Sequence, residues 1–392
     1  MSTSLSIPSS VDSLGGQGLS DGPSFGILST YPPTPYGPAI FSAALAHGLS
    51  TNGADVSVVR VADGSPSAST RIVGELVNGS AASVAACAEL LNQSDVAVIQ
   101  HEYGVYGGVD GDEVLAITDR LRVPLIVVAH TIPKDRAPHQ QSVLKKLATR
   151  ADQVIVMSAA ASQRLRRDFG IAHRKVATIP HGATVPTNVS SVRGGRPIVL
   201  TGGLLGPGKG IERVIDAMRS LHALPGRPRY LVAGRTHPKV LAADGEAYRN
   251  ARIEQARRSG VADSVYFDTG DRNRPMLTAL VRSAAVVVLP YDSTDQVTSS
   301  ALAYAVASGR PVVATAFPHA VELLASGAGI VVGHDDPDAL TSALRRVLTE
   351  PRLAGAMAAE ARRLAPEMAW PIVAREYLRL ANRLLPHRRA PA

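Results

Sequence analysis

The sequence predicts an α/β protein built from two doubly wound domains, and three observations carry that prediction. From Phe25 onward, short β-branched runs alternate with longer amphipathic ones. After a single polar break the same alternation starts again and continues almost to the end. The length, 392 residues, exceeds what one ordinary core supports and suits two. Hydrophobic residues at 45% and charged residues at 19% are globular proportions.

In the first half the apolar runs are FGILST from Phe25, ADVSVVRVA from Ala54, DVAVIQH from Asp95, PLIVVAH from Pro124, QVIVMS from Gln153 and VATIPH from Val176. Helix-patterned segments lie between them, among them AIFSAALAHGLSTNG after Pro38 and SVLKKLATRAD after Gln141. Near-continuous apolar strands alternating with helices indicate a parallel sheet covered on both faces. The stretch TNVSSVRGGRP from Thr187 is polar, rich in Ser and Gly, and lacks a hydrophobic period, so it predicts a linker. The second series comes next: PIVLTGGL from Pro197, RYLVAGRT from Arg229, SVYFDTG from Ser264, AVVVLPY from Ala285, RPVVATAF from Arg310 and AGIVVGH from Ala328, with helices from Lys209, Gly245, Asn273, Thr298 and Asp336. The final run, WPIVAREYLRLANRLL from Trp370, repeats apolar residues at helical spacing with no strand after it. The expected organisation is a polar tail over 1–22, a first domain over 23–187, a linker over 188–196, a second domain over 197–366, and a terminal helical segment over 367–392 that packs back on the first domain.

Composition also narrows the function classes. Aromatic residues, at 4%, are too scarce for stacking platforms that bind single strands of nucleic acid. The formal charge of +8 suits an anionic ligand or an anionic surface, and equally an ordinary solubilising surface. The basic residues are dispersed, with mild clusters at Arg164, Arg166 and Arg167 and at Arg388 and Arg389, so no nucleic-acid partner is expected. Cys87 is the lone cysteine, which precludes an intrachain disulfide and fits a reducing compartment. No run approaches the ~20 apolar residues that cross a bilayer, and the N-terminus lacks the basic start and apolar core of a signal peptide. The expected location is cytoplasmic, with peripheral contact at the inner face of the membrane as a further option.

Ligands of open parallel sheets bind beyond the carboxyl ends of the strands, so the residues just past each strand are the informative ones. The strongest signal is TGGLLGPGKGIERVIDA from Thr201: a strand end, a loop with five glycines, then a helix beginning near Lys209 or Gly210. Glycine lets backbone N–H groups approach a ligand, and a helix N-terminus carries roughly half a positive charge. Lys209 adds a full charge, and together these suit a diphosphate; the alternative is a tight turn with a solvated lysine. No Lys-Ser or Lys-Thr pair closes the frame of a Walker loop. After AVVVLPY, the loop DSTDQVTSS brings Thr298, Ser299 and Ser300 to a helix start, either as a second anion site or as a helix capped by Asp295 or Thr298. In the first half, Gly37 lies between a strand end and a helix. His101, Glu102 and Tyr103 end one buried strand, and His130 ends another. A strand-end histidine facing a cleft can donate to a sugar hydroxyl or to developing charge, although a lone one is more often structural. No metal-ligand spacing joins His101, Glu102 and His130, so no metal is expected. No G-x-S-x-G elbow is present.

These pieces resemble the GT-B glycosyltransferases, specifically the large retaining family-4 (group 1) type. The resemblance spans about Phe25 to Leu385 and is carried by GGLLGPGKGIERVIDA, ADQVIVMSAAASQRL, KVATIPHGA, and VVLPYDSTDQVTSSALAYAVASGRPVVAT with HAVELLASGAGIVV after it. It implies two facing Rossmann-like domains around a cleft. It further implies transfer of a hexosyl group, mannose or glucose, from a nucleotide diphosphate sugar to a glycan, glycolipid or small-molecule acceptor, without metal or cofactor. Lys209, Gly37, Gly203, Gly208, Thr298 and Ser299 would hold the donor diphosphate. His130 would lie beside the transferred sugar, with Lys209 the second catalytic group, and His101, Glu102 and Tyr103 would line the acceptor side. Three departures stand out. The family's loop arginine falls on Gly203, with Arg213 or Arg235 left to compensate. Its paired glutamates fall on Gln296 and Tyr304, able to reach a sugar hydroxyl and a ribose. Its double glycine is reduced to Gly37. Rival expectations on the same fold are a sugar-nucleotide epimerase, a phosphorylase, and a non-catalytic module that binds nucleotide sugars or glycans.

Overall fold

A computed structural model describes residues 22–34, 37–135, 137–186, 195–270 and 274–385. The polar tail up to residue 21, linker residues 187–194 and the end of the chain from residue 386 lie outside the described residues, as do Pro35 and Tyr36 beside Gly37.

The first domain runs β1 Ser24–Ser29, α1 Gly37–Thr51, β2 Asp55–Val61, β3 Ile72–Leu76, α2 Ala81–Leu91, β4 Val96–His101, α3 Glu113–Thr118, β5 Leu125–Ala129, α4 Pro138–Arg150, β6 Gln153–Val156, α5 Ala159–Phe169 and β7 Val176–Thr178. The strands form one parallel sheet in the order β3-β2-β1-β4-β5-β6-β7. Every residue of β4 and of β5 is buried, as expected for central strands covered on both faces. Each valine or isoleucine withdrawn there from water contributes about 1.5–3 kcal/mol.

The second domain runs β8 Ile198–Gly202, α6 Ile211–Leu221, β9 Arg229–Ala233, α7 Pro238–Asp244, α8 Ala247–Arg258, β10 Val265–Asp268, α9 Arg274–Ser283, β11 Val286–Leu289, α10 Ser300–Ala307, β12 Val312–Thr315, α11 Pro318–Leu324, β13 Gly329–Val332, α12 Pro337–Thr349, α13 Pro351–Met368 and α14 Trp370–Leu384. Its sheet is also parallel, in the order β10-β9-β8-β11-β12-β13. In both sheets the order reverses direction beside the first strand, between β1 and β4 and between β8 and β11. A crevice opens at the carboxyl ends at each such switch point.

The chain breaks between α13 and α14 at Ala369, whose ψ of 132° is extended. Helix α14 then lies against α1, with Trp370, Val373, Ala374 and Tyr377 in one core with Phe41, Leu45 and Leu49. Two glycines permit that approach. A Cβ on Gly48 would stand 2.9 Å from the carbonyl of Trp370, and one on Gly182 would stand 2.4 Å from its ring. The two sheets present their carboxyl ends to each other. Tyr304 of α10 meets the ring of His181, which lies just after β7, at 6.1 Å. Lys239 of α7 brings its Nζ to 3.2 Å from where a Cβ on Gly104, beyond β4, would stand.

Candidate active site

The glycine loop leaves β8 and crosses the second domain's switch point. Its glycines divide by environment. A Cβ on Gly210, at φ 65°, would stand 1.8 Å from the carbonyl oxygen of Pro290, so this glycine lets α6 start hard against the end of β11. Gly203 and Gly208 also hold positive φ, at 121° and 85°, but face open space. Between them and the helix stands Lys209, with its Nζ 4.6 Å from the centroid of the Tyr291 ring. Burial pushes its pKa below the ordinary lysine value. No carboxylate among the described residues forms an ion pair with it. A half-buried cation with an aromatic face on one side and glycine backbone on the other is poised for an anion.

The two arginines expected to compensate behave differently from Lys209. Arg213 is drawn to the far side of the loop, where its Nη2 pairs with Asp292 at 2.8 Å and its Nη1 donates to the carbonyl of His334. Arg235 is exposed beyond β9. Lys209 is therefore the cation that the switch point itself positions.

In the loop after β11, Gln296 Nε2 donates to the carbonyl of Thr298 at 2.9 Å. The Thr298 hydroxyl is shielded from solvent and has no hydrogen-bond partner among the described residues. Neither Asp295 nor Thr298 caps α10. Ser299 does, accepting from Leu302 N at 3.3 Å. Its own N–H, expected to face a diphosphate, donates instead to Nδ1 of His319 at 2.8 Å. The difference arises because α11 packs directly beneath this turn and supplies an acceptor there, while the Thr298 hydroxyl stays unsatisfied among the described residues.

Across the cleft, β4 and β5 set Gln100, His101 and His130 side by side. His130 Nε2 lies 2.6 Å from Gln100 Oε1. An amide oxygen only accepts, so Nε2 carries the hydrogen and Nδ1 presents a lone pair. Burial, then the neighbouring His181 and His101, pushes the pKa of His130 down to about 3. His101 lies edge-on to Tyr103 with its Nδ1 buried and, among the described residues, unpartnered, its pKa pushed by burial to about 4. Glu102 accepts from the Thr131 hydroxyl at 2.6 Å and from Tyr103 N at 3.1 Å. Burial raises its pKa despite those bonds and the charge of Lys239. The Tyr103 hydroxyl is turned away, to the carbonyl of Gln140. Gly37 opens α1 with free space where a side chain would stand.

The sequence pattern did not single out several groups that the fold brings here. His181, 5% exposed, sits edge-on to Phe41, Tyr304 and Trp370, and burial depresses its pKa to about 4. His319 of α11 is depressed by burial and by the charge of His181 to about 3. His181 occurs in the IPHGA segment directly after a strand, which is the signal that could have marked it. His319, Gln100 and Lys239 carried no such mark. Among the described residues, no group of three or more His, Cys, Asp or Glu is arranged to hold a metal ion.

A cation over glycine backbone at one switch point, facing polar strand ends at the other, is an arrangement that can meet an anionic ligand. Comparison with known families decides the matter. A profile described as glycosyl transferases group 1 matches residues 195–350, and one described as glycosyltransferase family 4 matches residues 37–185. The chain belongs to the group 1 glycosyltransferases. The same architecture recurs in solved GT-B structures of low sequence identity. The Anabaena protein Alr3699/HepE, solved with UDP, is 18% identical and superposes with a TM-score of 0.72 over 92% of this chain and 100% of its own. A sucrose-phosphate synthase from Thermosynechococcus elongatus is 19% identical, with a TM-score of 0.73 over 93% and 99%. A UDP-forming α,α-trehalose-phosphate synthase from Burkholderia xenovorans is 16% identical, with a TM-score of 0.68 over 92% and 99%. No curated protein sequence matches this glycosyltransferase significantly. None of its described helices is long and apolar enough to cross a membrane.

Proposed function

We propose that this glycosyltransferase moves a hexosyl group, glucose or mannose, from a nucleoside diphosphate to a carbohydrate or glycolipid acceptor, with retention and without metal or cofactor. Lys209 is the observation that carries the proposal: it is a half-buried cation without a carboxylate partner among the described residues, beyond the strand end where a leaving diphosphate would gather charge. In the reaction the bond from the sugar's anomeric carbon to the diphosphate oxygen breaks, and a bond to the acceptor oxygen forms on the same face. The acceptor's proton passes to the departing phosphate, so no protein base is required. Lys209, the N–H of Gly208 and the Thr298 hydroxyl would meet the developing negative charge, since the Gly203 N–H already donates to the carbonyl of Ala233 at 3.0 Å. Donors organised in advance in this way are commonly the largest catalytic term. His130 and Gln100 would border the sugar, and Glu102 the acceptor. Gln296 and Tyr304, at the places of the family's paired glutamates, would contact the donor as neutral groups.

The uridine-bearing neighbours favour a uridine donor, since Alr3699/HepE is solved with UDP and with UDP-glucose. The chain would act in the cytoplasm, where the exposed Lys145 and Lys146 of α4 and Arg166 and Arg167 of α5 suit peripheral contact with an anionic membrane face.

Thermal denaturation with UDP, GDP and ADP tests the donor assignment. A nucleotide present at about a hundred times its dissociation constant stabilises the fold by about 2.7 kcal/mol, and UDP is expected to raise Tm the most. An unchanged Tm with all three would contradict the proposal. In a companion assay, UDP release that depends on an acceptor separates transfer from epimerisation, which would interconvert donors without release.

A further inference from the structure

We infer that Asp295 and Arg164 form a clamp between the domains that sets the donor loop against the first domain, which makes both of them positioning residues for transfer. The inference rests on the proposed reaction across the cleft and names the contact that holds its two halves in register.

The loop between β11 and α10 belongs to the second domain, yet alternate residues of it are held by the first. Asp295 Oδ2 accepts from the backbone N–H of Lys134 at 2.8 Å. Its Oδ1 lies 2.5 Å from Nη1 of Arg164, as an ion-pair contact. The hydrogens of that nitrogen are directed to the carbonyl oxygens of Ile132, at 2.5 Å, and of Asp295 itself, at 3.1 Å. Arg164 is buried in α5, so its guanidinium depends on these acceptors in place of water. Two residues on, Val297 is 4% exposed and packs into the first domain's core with Ile132 and Leu165. Its carbonyl accepts from the buried Ser158 hydroxyl at 2.7 Å. On the far side of the seam, both oxygens of Glu322 in α11 take the backbone N–H groups of Ala159 and Ala160, at 2.7 and 3.1 Å. The start of α5 is thus held from two elements of the second domain.

Gln296 and Thr298 alternate with the clamped residues. One is bonded along the loop, and the other keeps a hydroxyl with no partner among the described residues. A loop pinned at Asp295 and Val297 cannot shift without carrying these groups with it. The distance from Thr298 and the Lys209 anion site to His130 and Glu102 is therefore set by the clamp. Loosening it would let the donor bind while the acceptor half drifts, a displacement that lowers turnover more than affinity.

The test uses the full chain with UDP-glucose as donor and compares wild type with Asp295→Asn and Arg164→Lys. Asp295→Asn retains the shape and removes the charge. The expected result is a fall in kcat of roughly ten- to a hundredfold, with KM for the donor and the UDP-induced rise in Tm nearly unchanged. The ratio of acceptor-independent donor hydrolysis to transfer should rise, and small-angle scattering without ligand should show a larger radius of gyration. Arg164→Lys, which keeps the charge, should lie between the two. Circular dichroism confirms that each variant is folded, and Asp295→Asn alone decides the question if Arg164→Lys is not. Wild-type kcat, hydrolysis ratio and radius in Asp295→Asn would overturn the clamp. A wild-type chain that neither transfers nor responds to UDP would instead overturn the proposed function.

Discussion

Lys209→Ala is expected to lower transfer at least about a hundredfold, the loss typical of removing one organised donor to a developing anion, while Tm moves little. The two halves of that expectation have one origin. Without ligand the ammonium is desolvated and, among the described residues, has no carboxylate to offset that cost, while the Tyr291 face returns only part of it. Alanine therefore removes a group that the empty fold tolerates more than it uses. Lys209→Arg should recover only a fraction, because a planar guanidinium does not fill the position of a compact ammonium between Gly208 and Tyr291. Steady-state kinetics with UDP-glucose, together with a melt of each variant, checks both halves. A tenfold loss or less, or a collapse in Tm, would reassign Lys209 to the architecture.

A marked acid sensitivity is the second large effect. His101, His130, His181 and His319 are held neutral in the fold, at about 4, 3, 4 and 3, against an unfolded value near 6.5. Above that value both states are neutral, and the histidines contribute nothing to pH dependence. Below it the unfolded chain takes up protons that the folded one refuses, so stability falls as pH drops through 6.5 towards 4. The limiting slope is about 1.4 kcal/mol per pH unit for each histidine. Glu102 works in the opposite sense, since its raised pKa adds stability as it protonates, but one carboxyl does not offset four imidazoles. His319 gives the effect a location. Its Nδ1 accepts the Ser299 N–H, and a proton there would set donor against donor at the start of α10. Between pH 7.5 and 5.5 the melting temperature should fall by about 5–10 °C, taking about 1–2 °C per kcal/mol at this chain length. A profile flat over that interval would show that the cluster is hydrated or already paired.

The reach of the sequence depends on the kind of signal each feature leaves. Strands such as DVAVIQH and PLIVVAH are buried on both faces and read as unbroken apolar runs, so β4 and β5 were legible. Strand β3 was not. IVGEL lies at the sheet edge, half exposed, with a glycine at its centre, and comes after a polar stretch that resembles a loop. The glycine loop after β8 announced itself because glycine density and a lysine at a helix start are local facts. Local pattern could not say which glycines face a ligand, since Gly210 is required by the carbonyl of Pro290, a residue far along the chain. The capping of α10 was illegible for the same reason: choosing between Asp295, Thr298 and Ser299 depends on His319 beneath the turn. The contact between Arg164 and Asp295 joins residues 131 apart in sequence and has no signature short of the fold.

A crystal structure of this glycosyltransferase with UDP tests the central claim most directly. The diphosphate should lie over the glycine loop between β8 and β11, with the Lys209 ammonium within hydrogen-bond reach of a phosphate oxygen and the Thr298 hydroxyl turned towards the ligand. UDP bound elsewhere, or at that crevice with Lys209 directed away from its phosphates, would contradict the account.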